Sequence, residues 1–135
     1  LFDGGKPVFV DIDPTTWNID PQRIEAAITP RSRAVIAVHL YGQPADMDPI
    51  MRLARKRKLI VIEDAAHAHG ASMQGRKMGT WGEMAIYSYQ LSKVMPAIEG
   101  GMGMYRSREY YERAAAFGHY EDPAKFDASS PVRAY

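Results

Sequence analysis

Near the middle of the chain, six consecutive residues read LIVIED, Leu59–Asp64, and they indicate the fold class. The apolar residues in this run are consecutive rather than alternating, which is typical of a strand buried on both faces of a parallel sheet. Three further runs have this character, namely Pro7–Asp11, Ala34–Val38 and Met84–Ser88. A fifth candidate, Gly101–Tyr105, is weaker because glycine destabilises strand interiors. The pattern predicts a parallel sheet covered by helices on both faces.

Helical segments lie between these strands. Asp20 and Pro21 are predicted to open the first helix as its N-cap and first helical residue. The second helix begins near Asp46, and the third spans about Ser107–Phe117. The stretch Gly70–Gly82 is too rich in glycine for a helix and predicts an ordered loop or a short hairpin. This alternation predicts an α/β fold with a mostly parallel sheet and flanking helices.

Composition excludes several classes of protein. The 135 residues suffice for one domain, and a formal net charge of +1 with dispersed Lys and Arg gives no electrostatic footprint for nucleic acid. The basic run Arg52–Lys58 is interpreted as a solvated helix face. The absence of cysteine excludes disulfides and cysteine nucleophiles, and no apolar run approaches the ~20 residues of a membrane span. With no secretory signal visible, we expect a cytoplasmic protein.

Both ends of the chain indicate an internal fragment of a longer protein. The opening Leu1–Gly5 lacks an initiator Met and is typical of a helix end followed by glycine. The closing stretch His119–Tyr135 is polar and predicts no clear terminal element. We therefore expect that the chain is part of a longer protein.

The candidate functional residues follow the predicted strands, because ligands in open α/β sheets bind beyond the carboxyl ends of the strands. Asp64 ends the strand Leu59–Glu63, where its carboxylate could pair with a cationic ring nitrogen of a cofactor or only cap the next turn. His67 faces the same way if a helical turn follows, and its imidazole could contact a cofactor oxygen. For His39 and His69 we expect ordinary packing or surface roles. His67 and His69 do not predict a metal site, because two histidines at this spacing without a third ligand fit poorly.

A second group of candidates surrounds another strand end. Ser88 ends the strand Met84–Ser88, and its hydroxyl could donate to a phosphate. Lys93 follows five residues later, where its amine could form a Schiff base with a carbonyl or simply be a surface lysine. Glu99–Gly101 offers two glycines that permit close backbone approach, or only a turn. Each signal is weak alone, but an acid, a serine, a lysine and then Glu-Gly-Gly arise in this order rarely by chance.

With its motifs in this order, the sequence resembles the DegT/DnrJ/StrS family of aminotransferases. These enzymes depend on pyridoxal phosphate (PLP) and act mostly on keto-sugars and cyclitols. The resemblance covers nearly the whole chain, from Pro7 to about Gly118. Tyr87 and Tyr89 replace phenylalanines common in the family, and Val94–Pro96 stands where asparagine is frequent. The matching stretches are Pro7–Pro14, Trp17–Pro21, His39–Met47, Glu63–Gly70, Tyr87–Lys93 and Glu99–Gly101.

The resemblance implies roles for four residues. Lys93 would hold PLP as a Schiff base and carry the proton between the substrate α-carbon and the cofactor. Asp64 would pair with the pyridine nitrogen, His67 would contact the 3′-oxygen, and Ser88 would bind the phosphate. The enzyme would move an amino group from glutamate or glutamine to a keto-sugar or cyclitol.

The resemblance also implies a larger assembly. Family members are homodimers, and residues 1–135 would be a fragment of the PLP-binding large domain of a fold-type I transferase, without its N-terminal phosphate loop and C-terminal small domain. The chain alone would therefore be inactive. Two alternatives stay open. One is a sugar dehydratase dependent on PLP or pyridoxamine phosphate (PMP), in which histidine replaces the lysine. The other is a non-catalytic regulatory protein with the same fold.

Overall fold

The computed structural model describes residues 4–118, so residues 1–3 of the predicted helix end and the polar stretch 119–135 lie outside the described part of the chain. Within residues 4–118, no helix is both long enough and apolar enough to cross a bilayer. The elements in chain order are α1 (Pro21–Ala27), β1 (Ala34–Val38), a 3-10 turn (Leu40–Gly42), α2 (Met47–Arg57), β2 (Ile60–Asp64), β3 (Ser72–Met73), β4 (Arg76–Lys77), β5 (Met84–Ser88), β6 (Gly101–Tyr105) and α3 (Arg108–Gly118).

Four strands form one sheet in the order β1-β2-β5-β6. The strands β1, β2 and β5 are parallel, whereas β6 runs antiparallel to β5. Asp64, the last residue of β2, pairs in register with Val38 on one side and with Ile86 on the other. The predicted α/β fold with a mostly parallel sheet is confirmed, and the register brings the carboxyl ends of three strands to one edge.

A local sequence signal explains where α1 begins, and the cap geometry shows where α2 ends. The Asp20 carboxylate accepts a hydrogen bond from the Gln22 N–H at 2.9 Å, as expected of an N-cap. The C-cap of α2 is Lys58, which adopts a left-handed φ of 54°. The basic residues near this end are exposed, and Arg57 binds Glu25 of α1 at 2.6 Å. The predicted solvated basic helix face is confirmed.

The hydrophobic core lies on one face of the sheet. Val35 and Val61 of neighbouring strands form one buried cluster with Ile24 of α1 and Ile50 of α2. Met78, which follows β4, belongs to the same cluster and is 1% exposed. Burying an apolar side chain of this size contributes about 1.5–3 kcal/mol, so this cluster is a main source of stability.

The opposite face of the sheet differs from the prediction. Ile36 of β1 and Ile86 of β5 are 59% and 48% exposed, so the expected burial on both faces is wrong for the described residues. Side chains of a strand alternate between the two faces of its sheet. Within residues 4–118, the helices α1 and α2 and the segment 65–81 pack against the core face, and the consecutive apolar residues are therefore buried on that side alone.

The segment Pro7–Asp11 is not a strand, which corrects the prediction. Val8 and Phe9 are 66% and 93% exposed, and the nearest pairing is an isolated bridge between Ile12 and Ile19. An extended apolar run becomes a strand only when another segment satisfies its backbone N–H and C=O groups. In the described part of the chain no strand lies beside this segment.

A buried carboxylate joins the turns around the core face. Glu63 of β2 is 0% exposed, and its Oε1 accepts hydrogen bonds from the N–H groups of Trp81 and Gly82, each at 2.6 Å. Its Oε2 accepts from the Gly79 N–H at 2.6 Å and from His39 Nε2 at 3.0 Å. Four donors therefore satisfy a charge that would be costly to bury without them.

The tautomer of His39 follows from its second contact. Its Nδ1 accepts the Ala45 N–H at 3.1 Å, so the neutral ring carries its proton on Nε2 and donates it to Glu63. Burial alone raises the pKa of Glu63, but the bonds from His39, Gly82 and Gly79 outweigh burial and hold the pKa below its usual value. The expected packing role of His39 is confirmed.

The glycine-rich stretch forms a short hairpin, in agreement with one of its two predicted forms. The strands β3 and β4 pair antiparallel. After the hairpin the chain passes very close to β2, because a Cβ atom at Gly82 would lie 2.5 Å from the carbonyl oxygen of Val61. Only glycine fits this close approach without moving the backbone.

We expect Gly82→Ala to destabilise the full-length protein by about 3 kcal/mol, the upper end of the usual cost of overpacking, because the new methyl group meets backbone. The measurement is the midpoint of urea unfolding. Gly5→Ala is the control, since a Cβ there has nothing within 4 Å. Equal midpoints for the two variants would contradict the close approach of Gly82 to β2.

We expect Glu63→Gln to destabilise the full-length protein by about 3 kcal/mol at neutral pH, because the amide NH2 of glutamine would face donors that now bind a carboxylate. The folded-state pKa of Glu63 lies below its unfolded value. Its ionised form therefore contributes stability that is fully present above about pH 4.3, the unfolded value, and is lost as pH falls through the folded pKa.

Denaturant unfolding of Glu63→Gln and the unsubstituted protein, from neutral to acid pH, measures this contribution. The difference in unfolding free energy should stay constant near neutrality and shrink in acid. A difference that does not vary with pH would show that the charge of Glu63 does not contribute.

Candidate active site

Three turns meet at the carboxyl edge of the sheet. Strand β1 leads into the turn Leu40–Gly42, β2 leads into the turn that holds His67, and β5 leads into the loop that holds Lys93. Backbone hydrogen bonds continue beyond the strands, because the Ala65 N–H donates to the Ile86 carbonyl at 2.9 Å. The start of each turn is therefore held by the neighbouring strand.

Asp64 lies at the end of β2 and is half-buried. Its Oδ1 accepts the Ala66 N–H at 3.0 Å, so the carboxylate does cap the next turn. Among the described residues no donor reaches Oδ2, which leaves one oxygen for a ligand. The turn is closed by a bond from the Ala68 N–H to the Ala65 carbonyl at 2.9 Å and is not helical, so the helical turn assumed for His67 is absent here.

His67 is held by Tyr41 from the neighbouring turn. The two rings are stacked, with centroids 5.5 Å apart and an interplanar angle of 9°. The Tyr41 N–H donates to His67 Nδ1 across 3.4 Å, a long hydrogen bond in which Nδ1 is the acceptor. A neutral ring in this arrangement carries its proton on Nε2, which binds no described residue. Sequence reasoning missed Tyr41, which lies 26 residues from His67.

Ser88 ends β5 and pairs with Gly101, the first residue of β6. Its Oγ accepts the Gln90 N–H at 3.3 Å, which leaves the hydroxyl hydrogen to donate elsewhere. A Cβ atom at Gly101 would lie 2.9 Å from the Tyr87 carbonyl oxygen. The glycine therefore permits close backbone approach, one of the two interpretations of the Glu-Gly-Gly motif.

Lys93 lies in the loop between β5 and β6. Main-chain bonds close this loop, with the Leu91 N–H donating to the Ile98 carbonyl at 3.0 Å and the Lys93 N–H donating to the Gln90 carbonyl at 2.9 Å. Lys93 is half-buried, whereas its neighbour Val94 is 74% exposed. The Lys93 amine has no hydrogen-bond partner within residues 4–118.

The expected packing role of His69 is confirmed. Its ring lies between Tyr87 and Tyr89, with centroid distances of 5.3 and 5.4 Å. Both ring nitrogens are buried without a hydrogen-bond partner among the described residues. The two ring contacts are tilted, and they involve the residues on both sides of Ser88.

The candidate residues of the sequence thus gather at one edge of the sheet. Asp64, His67 and Ser88 lie at or just after strand ends that are adjacent in the sheet, and Lys93 lies in the loop that follows Ser88. They supply a carboxylate, an imidazole, a hydroxyl and an amine. Such a set can bind a heteroaromatic ring that has a basic nitrogen and anionic substituents, and can form a Schiff base with a carbonyl.

Curated relatives with similar sequences include proteins named as a synthase, a regulatory protein and an aminotransferase. GDP-perosamine synthase of Caulobacter vibrioides is 52% identical over 73% of this chain and 27% of its own length. A pleiotropic regulatory protein of Geobacillus stearothermophilus is 50% identical over 82% of this chain and 30% of its own length. The L-glutamine:2-deoxy-scyllo-inosose aminotransferase of Streptoalloteichus tenebrarius is 48% identical over 79% of this chain and 25% of its own length. The chain spans about a quarter of the length of the relatives it matches.

Solved structures with the same fold include DesI, determined with its TDP-sugar product. DesI is 40% identical, with a TM-score of 0.75 over 78% of this chain and 27% of DesI. NtdA from Bacillus subtilis, with bound cofactor PMP, is 36% identical, with a TM-score of 0.70 over 78% of this chain and 23% of NtdA. GDP-4-keto-6-deoxymannose-3-dehydratase (ColD), with bound GDP-perosamine, is 34% identical, with a TM-score of 0.72 over 77% of this chain and 27% of ColD.

The match to a family model covers nearly the whole chain. The model of the DegT/DnrJ/EryC1/StrS aminotransferase family matches residues 2–125 of the 135 residues. Together with identities near one half over most of the chain, this confirms the resemblance predicted from the motifs. The chain belongs to the DegT/DnrJ/EryC1/StrS aminotransferase family.

Proposed function

We propose that the protein containing this chain is a PLP-dependent aminotransferase that moves an amino group from glutamate or glutamine to a keto-sugar or cyclitol. The observation that carries the proposal is the set of four groups at one sheet edge, Asp64, His67, Ser88 and Lys93, within a chain of this family. Two relatives support the substrate class, since one is named for an L-glutamine:inosose aminotransferase and another for GDP-perosamine synthesis.

The hydrogen bonds left open at this edge fit PLP. Asp64 has one oxygen without a donor among the described residues, and we assign this oxygen to the pyridine nitrogen. A carboxylate beside that nitrogen favours its protonated form. When bound, PLP supplies an electron sink, which a protonated ring makes stronger.

His67 and Ser88 offer donors of the right chemistry for the two other polar ends of PLP. The Nε2–H of His67 is assigned to the 3′-oxygen, because the bond from Tyr41 occupies the opposite ring nitrogen. The Ser88 hydroxyl is assigned to the phosphate, because its oxygen accepts from Gln90 and its hydrogen is left to donate. These two contacts would hold the ring on either side of the carbon that bears the aldehyde.

Lys93 is assigned the covalent and proton-transfer roles. A primary amine is the group that forms a Schiff base with an aldehyde, and the same amine, once released, can take and return a proton. The Lys93 amine binds no described residue, so no hydrogen bond within residues 4–118 has to break before it reacts.

Two alternatives are weighed by the same residues. The chain is similar to the dehydratase ColD, but the lysine at position 93 favours transamination, because the resemblance implies histidine there in dehydratases. The chain is also similar to a pleiotropic regulatory protein. A protein that only used the fold would not need a carboxylate, an imidazole, a hydroxyl and an amine together at one edge.

We also propose that other segments complete the site. The phosphate loop, an aromatic residue stacked on the ring and the small domain would come from parts of the protein beyond this chain. A homodimer in the cytoplasm would supply residues of both subunits to each site. The isolated 135 residues should then show no turnover.

We expect Lys93→Ala to abolish covalent attachment of PLP in the full-length protein. Borohydride reduction followed by peptide mass spectrometry should place the cofactor on the peptide that contains Lys93, and the visible absorption band of the attached cofactor should vanish in the variant. Lys56→Ala is the control, because the Lys56 side chain is 66% exposed on α2. An unchanged band in Lys93→Ala would refute the assignment.

We expect the full-length protein to convert bound PLP to PMP when glutamate or glutamine is added, and Asp64→Asn to slow this half-reaction by about 100-fold or more. Asparagine keeps an oxygen for the Ala66 N–H, so the turn should persist while the charge is lost. Stopped-flow absorption measures the rate. A protein that binds PLP but never converts it would favour the regulatory alternative, and an unchanged rate in Asp64→Asn would contradict the role of Asp64.

A further inference from the structure

The turn that follows β1 holds Tyr41 in a backbone conformation that tyrosine rarely adopts. Its φ and ψ are 52° and 26°, in the left-handed region. Such a conformation costs of order 1–3 kcal/mol, and it persists only where the surroundings over-determine it, often at functional sites. Tyr41 is 82% exposed, so burial in the core does not offset this cost.

Asn18 fixes the turn from one side. It is 2% exposed, its Oδ1 accepts the Leu40 N–H at 3.0 Å, and its Nδ2 donates to the Gln43 carbonyl at 2.9 Å. One buried amide therefore binds the residues on both sides of Tyr41. The turn cannot relax toward an ordinary conformation without breaking at least one of these bonds.

His39 and Gly42 fix the turn from the other side. The buried His39 ring accepts the Ala45 N–H at 3.1 Å, which holds the chain just beyond the turn. A Cβ atom at Gly42 would lie 3.3 Å from the His67 carbonyl oxygen, so the two turns approach closely. The position of Tyr41 is therefore set relative to the turn that carries His67.

The ring contact of Tyr41 within the described residues is with His67. The rings are nearly parallel at 9°, with centroids 5.5 Å apart, and the Tyr41 N–H donates to His67 Nδ1 across 3.4 Å. The ring of Tyr41 can limit rotation of the imidazole, while its N–H makes Nδ1 the acceptor. These two contacts act on the plane and on the tautomer of His67, respectively.

We propose that Tyr41 is a positioning residue that fixes the plane and tautomer of His67 and thereby aims its Nε2–H donor at the bound ligand. The proposal rests on the proposed function, in which that donor meets the 3′-oxygen of PLP. It adds a residue that belongs to neither the strand ends nor the candidate set, and that acts through His67 without touching the reacting atoms.

The test uses Tyr41→Gly and Tyr41→Phe in the full-length protein. Glycine adopts a positive φ without strain and keeps the backbone N–H, so Tyr41→Gly removes the ring and should fold normally. Phenylalanine keeps the ring and removes only the hydroxyl. Lys58→Gly is the control for relief of backbone strain, because Lys58 has a φ of 54° at the exposed end of α2.

The first readout is the pH titration of the absorption band of bound PLP. A donor at the 3′-oxygen favours its deprotonated form, so losing the aimed donor should move the titration midpoint upward by about one pH unit in Tyr41→Gly. Tyr41→Phe and Lys58→Gly should titrate like the unsubstituted protein. His67→Ala should give the same shift as Tyr41→Gly, and the double variant should show no further shift, because both changes remove one interaction.

The second readout is the ¹⁵N resonance pair of the His67 ring in the protein freed of cofactor. The unsubstituted protein and Tyr41→Phe should show a protonated Nε2. Tyr41→Gly keeps the N–H that sets the tautomer, but without the stacked ring the imidazole can turn away from that N–H, so this variant should show both tautomers. An unshifted titration in Tyr41→Gly, a shift that adds to that of His67→Ala, or an unchanged tautomer would overturn the proposal. If Lys93 holds no PLP, the proposed function fails, and the ¹⁵N readout alone decides the role of Tyr41.

Discussion

Four hydrogen bonds converge on the carboxylate of Glu63, which lies in the interior strand β2 at 0% exposure. Three of them come from backbone N–H groups between Gly79 and Gly82, and the fourth comes from His39 just after β1. A buried ion costs several kcal/mol unless such donors replace water. The segments that supply the donors cannot move away independently, so one charge fixes the hairpin segment and the turn after β1 to the sheet.

Asp64, the residue after Glu63, differs from it both in the face of the sheet it occupies and in its hydrogen bonds. Because side chains alternate along a strand, Asp64 points to the other face of the sheet. Both oxygens of Glu63 accept two hydrogen bonds each, whereas Asp64 binds Ala66 through one oxygen and no described donor through the other. The two adjacent carboxylates of β2 therefore have different roles. Glu63 uses its full bonding capacity for the fold, and Asp64 keeps an oxygen for a ligand on a backbone that Glu63 holds in place.

The sequence predicted the features that depend on neighbours along the chain. The consecutive apolar runs and the Asp20 cap located the sheet strands and the first helix, and the order of motifs at the strand ends located the candidate site. Burial of both sheet faces and pairing of Pro7–Asp11 were wrong for the described residues, because coverage and pairing depend on segments distant in sequence. Glu63 and Tyr41 were missed because their partners lie 24 and 26 residues away. For Glu63 a signal existed, since a charge inside an apolar strand requires buried donors.

The proposed chemistry needs groups of two kinds. Groups that orient a ring must hold one geometry, whereas an amine that moves a proton must change position during the reaction. Asp64 and His67 lie in a turn fixed to the neighbouring strands, and Tyr41 adds a second constraint on the imidazole. Lys93 instead lies in a loop closed by main-chain bonds, beside the exposed Val94, and its amine binds no described residue. The constrained groups match the proposed task of holding the ring, and the unbound amine matches the proposed task of carrying the proton.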